Sequence, residues 1–212
     1  MPERSRFGAR LCAVLPLIVV AALELGAQPS AESVLGAEAP EIATRLEKER
    51  VVLLQQAGDS DGTVVALVLF DQPQSRVAAL LREAERQPEY RPELVTVRTV
   101  QRLPDGRIDE QRIKILFTEL LYRLRYHEDP GTGKLTWSLD DCFDNAIARM
   151  QGFWELHDFD NGSERTLGRF GSDVDVGSGV PHFIQNGMSR KTVLRYVQNV
   201  QRWIDSDGRW RP

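Results

Sequence analysis

Cysteine is scarce in this chain, with two in 212 residues, Cys12 and Cys142. Cys12 sits in an apolar leader, so the remainder has no pair with which to form a disulfide, and stability must come from burial. No base motif neighbours Cys142 to activate it as a nucleophile. Histidine is equally sparse: His127, His157 and His182 stand at no metal-ligand spacing. The run Asp158, Asp160, Asn161, Gly162 lacks the remaining ligands and closing glutamate of a calcium loop. No metal and no other cofactor is implied. No stretch combines clustered lysine and arginine with aromatics, and the formal charge is −4, which argues against nucleic acid as a partner.

What is present begins with a leader. Arg4, Arg6 and Arg10 precede an apolar run from Leu11 to Leu23, followed by the small residues Gly26 and Ala27. This is the layout of a secretory signal peptide over residues 1–27, and the run is shorter than the ~20 residues that span a bilayer. The expected location is secreted or periplasmic; an uncleaved signal anchoring the protein in the membrane is the alternative. Removing the segment takes out three arginines against two glutamates, shifting the net charge from −4 to −5. Residues 28–50 read as a linker and short helix, residues 51–205 as one domain, and residues 206–212 as a tail.

Within 51–205 the pattern is mostly of period two. VVLLQQ and TVVALVLF flank AGDSDG and read as a hairpin. Val77, Leu80, Leu81 and Ala84 mark one face of a short helix that opens after Pro73 and ends before Pro88. Alternation resumes at 94–103, runs on odd positions through Ile113, Ile115 and Phe117, then on even ones through Leu120, Tyr122, Leu124 and Tyr126. That phase change predicts a turn or bulge near Thr118–Glu119. Leu135, Trp137 and Leu139 alternate, as do Ala146, Ala148, Met150, Gly152, Trp154 and Leu156, and then Thr166 to Val176. Ile184, Met188, Val193, Val197, Val200 and Ile204 change to helical spacing, with Gly187 as a weak point.

Three stretches, in this order, carry a resemblance: FDQPQSRVAALLREAERQPEYRPEL; Gly152-Phe153-Trp154-Glu155-Leu156 with Thr166-Leu167-Gly168-Arg169-Phe170; and Val180-Pro181-His182-Phe183-Ile184. Together they resemble the START-like superfamily, which includes polyketide cyclases, lipid-transport and coenzyme Q-binding proteins. The resemblance implies an α+β helix-grip fold. A curved antiparallel sheet of six to seven strands would wrap a long C-terminal helix at about 181–205, with two short helices after the first strand element. It further implies an apolar cavity for a lipid, isoprenoid quinone or similar molecule, and no shared catalytic constellation.

The residues expected to line that cavity are Phe117, Tyr122, Trp137, Met150, Trp154, Phe170, Ile184 and Met188, since large apolar and methionine side chains line concave ligand sites. The partner expected is a hydrophobic small molecule or lipid, with transient membrane contact. A cyclase would need an acid–base pair; His127 with Asp129, or inward-pointing Arg98 and Arg123, are the candidates, and none is positioned by a motif. The sequence therefore favours a carrier. A cyclase/aromatase-like enzyme and a ligand-free structural or partner-binding module are the alternatives. The QPEYRPEL turn, bracketed by prolines, is the expected lid.

Overall fold

The computed structural model describes residues 34–35, 39–54, 64–160, 164–177 and 190–212. Residues 1–33, and with them the leader, lie outside this set, as do Ile184, Gly187 and Met188. Helix α1 (Ala39–Glu49) buries Ile42 and Leu46, one turn apart on one face. It ends at Arg50, whose φ of 64° turns the chain into strand β1 (Val51–Leu53). Strand β2 (Val64–Phe70) pairs antiparallel with β1, aligning Val52 with Leu67.

The continuous apolar run of β2 has a direct cause: both of its faces are covered. Leu67 and Leu69 pack with Ile42, Leu46 and Leu167 on the outer side, and Ala66, Val68 and Phe70 belong to the main inner core. Pro73, extended at φ −66°, caps helix α2 (Gln74–Leu81), which buries Val77, Leu80 and Leu81. A 3-10 helix follows over Ala84–Glu89 with Pro88 inside it. These are the two short helices that the resemblance implies; the single helix read from periodicity up to Pro88 ends instead at Leu81, and Ala84 opens the 3-10 helix.

Six strands then run as an antiparallel meander: β3 (Leu94–Leu103), β4 (Gly106–Ile115), β5 (Thr118–Glu128), β6 (Leu135–Leu139), β7 (Arg149–Asp158) and β8 (Thr166–Asp175). Strand β8 returns to pair with β2, matching Ala66 with Phe170. The sheet is curved and open, with order β1-β2-β8-β7-β6-β5-β4-β3. It has eight strands where six to seven were expected, the short edge strand β1 among them.

Helix α3 (Arg190–Asp205) lies in the sheet's grip, burying Val193, Val197, Val200, Trp203 and Ile204 in the same core as the inner faces of β2, β5, β7 and β8. This is an α+β helix-grip fold. Residues 181–189, the expected first part of that helix, are outside the described residues.

Candidate functional site

Between the sheet and α3 lies a cavity of about 450 Å³, inside the range of about 300–1,000 Å³ usual for small-molecule sites. Period-two geometry supplies its wall. On β5 the even positions Tyr122, Leu124 and Tyr126 face inward, while Arg123 and Arg125 face out and pair with Glu110 and Asp140. Trp137 comes from β6, Met150 and Trp154 from β7, Phe170 from β8, and Tyr196 from α3. The rings touch one another: Trp154 and Phe170 are 4.9 Å apart between centroids, Phe170 and Tyr196 5.3 Å, and Tyr126 and Trp137 6.0 Å. Such tilted pairs hold a wall in place without filling the space in front of it.

Small residues make the rings fit. A Cβ built on Gly152 would lie 2.3 Å from Cζ2 of Trp137 and 2.5 Å from the Gly171 carbonyl oxygen. The glycine lets the indole lie flat over β7.

Five of the expected lining residues therefore sit on one wall: Tyr122, Trp137, Met150, Trp154 and Phe170. Ile184 and Met188 lie outside the described residues. Phe117 is a correction. It is 99% exposed at the β4–β5 turn, and its neighbour Leu116, with φ 54°, lines the cavity instead. The alternation of Ile113 and Ile115 stops one residue before Phe117 because the turn falls at Leu116–Phe117. Ala146 and Ala148, whose alternation puts them on one face with Met150 and Trp154, are a second correction: both are exposed, and Ile147 between them is buried and lines the cavity. That stretch precedes β7 and is pinned by Asn145, which accepts from the Arg123 N–H at 2.8 Å and donates to the Asp140 carbonyl at 2.9 Å.

The inner face also carries polar groups that hydropathy patterning passed over. On β4, Asp109 and Gln111 share the face of Ile113 and Ile115 and are fully buried. Asp109 accepts from Thr99 Oγ1 and from Arg107 Nε, each at 2.8 Å. Tyr122 donates to Gln111 Oε1 at 3.0 Å, and Gln111 Nε2 donates to the Tyr126 hydroxyl at 3.2 Å. Burial raises the hydroxyl pKa of Tyr122, Tyr126 and Tyr196, with the nearby Arg91 charge opposing it, so these phenols remain protonated.

Arg91 is the most informative of the residues missed. Its side chain is 13% exposed and lines the cavity from the proline-bracketed turn. Nη1 donates to Gln87 Oε1 at 3.1 Å, and the guanidinium lies 5.3 Å from the centre of the Tyr196 ring. Buried Nε makes no hydrogen bond, Glu93 Oε1 standing 3.6 Å away. Trp137 Nε1, on the same wall, is likewise buried without a partner. Leaving such a donor unmet costs about 1–3 kcal/mol. A charged residue locked between Pro88 and Pro92 was the available sequence signal.

The suggested acid–base candidates face elsewhere. His127 Nδ1 meets Asp105 at the surface, and Arg98 is exposed beside Glu110. The turn expected to be loose is tied down: the Tyr90 ring lies tilted with its centre 4.7 Å from that of Trp203, and the Tyr90 carbonyl accepts from Asn199 Nδ2 at 3.0 Å.

Solved structures share this architecture at low identity. The Zhui aromatase/cyclase from Streptomyces sp. R1128 superposes with a TM-score of 0.56 at 15% identity, over 69% of this chain and 92% of that one. A START superfamily protein from Mycobacterium smegmatis gives 0.55 at 15% identity, over 68% and 97%. The fold is START-like. A STAR-related lipid transfer protein from Xanthomonas axonopodis shares the START-like fold at a TM-score of 0.53 and 13% identity, over 73% of this chain and 98% of that one. No protein-family model and no curated protein sequence matches the chain. The START-like likeness is one of fold.

Proposed function

We propose that the protein binds and carries a hydrophobic small molecule, a lipid, isoprenoid quinone or similar, in the cavity between the sheet and α3. One observation carries this reading: a space of about 450 Å³ is walled by Tyr122, Trp137, Met150, Trp154 and Phe170. A structural module without a ligand would have filled that space, because protein interiors pack closely. The leader at residues 1–27 supports export to a periplasm or the cell exterior, with an uncleaved anchor as the alternative. Leu116, 66% exposed, and Phe117 form an apolar tip beside the cavity, suited to brief contact with a membrane.

Native mass spectrometry of the purified protein should find a co-purifying hydrophobic molecule. Separate replacement of Trp154 and Met150 by charged residues should give folded variants that no longer transfer a fluorescent lipid between vesicles. Absence of transfer by wild type across lipids, sterols and quinones would end the carrier reading.

A cyclase-type enzyme is the second reading, and Arg91 favours it, since a buried guanidinium beside protonated phenols polarises a carbonyl. Incubation with a reactive poly-β-ketone that yields only the uncatalysed product mixture would remove it.

A further inference from the structure

We infer that the cavity is built for a hydrophobic carboxylic acid, bound as its anion with a carboxylate oxygen at Arg91 Nε. The inference rests on the cavity reading above and adds the ligand's polar end. Among the described residues, two that line the cavity, Arg91 and Trp137, each carry a buried side-chain donor without a hydrogen-bond partner, Nε and Nε1. An occupant that satisfies them brings acceptors only. The charged residues lining the space are Arg91, Lys114, Arg195 and Glu93, three cations to one carboxylate. That balance favours an anion over a cation or a zwitterion.

Glu93 Oε1, 3.6 Å from Arg91 Nε, already answers part of the guanidinium charge. A carboxylate matches the donor left at Arg91, whereas a phosphate would bring more acceptor oxygens than the two unmet donors, Arg91 Nε and Trp137 Nε1, receive. The flat fork of arginine suits a carboxylate, and Nε is the edge left free because Nη1 is held by Gln87. The rest of the wall is apolar and aromatic, so the remainder of the molecule is a hydrocarbon chain or ring system. Trp137 Nε1 offers a hydrogen bond to a second oxygen along it.

The test compares tetradecanoate with its methyl ester and with tetradecanol, by isothermal titration of the full chain at neutral pH. Wild type should bind the acid at least tenfold more tightly than either neutral analogue. Arg91→Gln should level the three affinities while retaining the neutral ones, and Arg91→Lys should keep a reduced preference. Equal affinities in wild type would overturn the inference while leaving the cavity reading intact. So would an unchanged preference in a folded Arg91→Gln protein. Binding of none of the three would overturn the inference and leave the cavity reading to the transfer assay with sterols and quinones. If Arg91→Gln fails to fold by circular dichroism, the wild-type comparison and Arg91→Lys still decide.

Discussion

The indole Nε1 of Trp203 donates to Glu89 Oε2 at 3.1 Å, joining the end of α3 to the 3-10 helix across the mouth of the sheet. Glu89 also holds Arg86 at 2.9 Å and Arg211 at 2.8 Å, and Arg86 Nη2 donates to the Gly208 carbonyl at 2.6 Å. Arg76 pairs with Asp207 alongside. The segment bracketed by Pro73 and Pro88 is therefore clamped to the C-terminal segment.

The clamp is pH-sensitive. The hydrogen bond from Arg86, against the opposing effect of burial, lowers the Glu89 carboxyl below its ordinary 4.5. A lowered folded-state value means stability is fully present above the unfolded value and lost as pH falls through the folded one. Glu89→Gln should be less stable than wild type by about 1.5–3 kcal/mol at neutral pH. The gap should narrow below pH 4.5, where wild type begins to lose the contribution. Urea denaturation at a series of pH values reads this directly, and parallel curves would refute it.

Gly152→Ala tests the wall. A methyl group 2.5 Å from the Gly171 carbonyl and 2.3 Å from the Trp137 ring forces strand or indole to move. Overpacking of this kind costs about 1–3 kcal/mol. Thermal unfolding should report the loss and near-ultraviolet circular dichroism the displaced tryptophan. Gly131→Ala, whose Cβ would meet only Asp129 Oδ1 at 3.3 Å, should change Tm little.

Asp109→Ala removes the partner of a buried cation, since Arg107 is held by Asp109 and lies 4.5 Å from the centre of the Tyr126 ring. Stranding one member of a buried pair costs about 3–5 kcal/mol. The double variant Asp109→Ala with Arg107→Met should recover most of it. A double variant no more stable than Asp109→Ala would contradict the pairing.

Phe117→Asp should leave stability within about 0.5 kcal/mol, because the side chain packs against nothing. Transfer between vesicles should nonetheless slow several-fold if the tip touches the bilayer. Unchanged transfer would confine Phe117 to the role of a turn residue.

Much of this fold was legible because alternation and helical spacing survive wherever an element has one dry face. Val77, Leu80 and Leu81 gave the face of α2, and Leu120 to Tyr126 the inner face of β5. The errors fall where regular structure stops. Phe117 continues the odd-numbered run of β4 in sequence but follows a left-handed Leu116 in space, and Ala146 and Ala148 precede the strand to which their spacing assigned them. Arg91, Asp109 and Gln111 were invisible for another reason. A buried polar residue is made tolerable by partners such as Gln87, Thr99 and Tyr122, and a pattern of hydrophobicity does not record which side chains meet.

The antiparallel seam between β2 and β8 sets the tempo at which the protein acquires its shape. Val64 pairs with Ser172 and Phe70 with Thr166, so about a hundred residues of chain separate the two sides of the seam. Strands β3 to β6 join sequence neighbours and can zip as hairpins, but β2 waits unpaired on that side until β8 has been made. Closing so long a loop costs entropy before any contact repays it, which slows folding more than it weakens the finished molecule. During synthesis the most apolar strand of the sheet therefore leaves the ribosome early and finds its partner late. That interval is when aggregation competes with folding, and when a chaperone would have the most to protect.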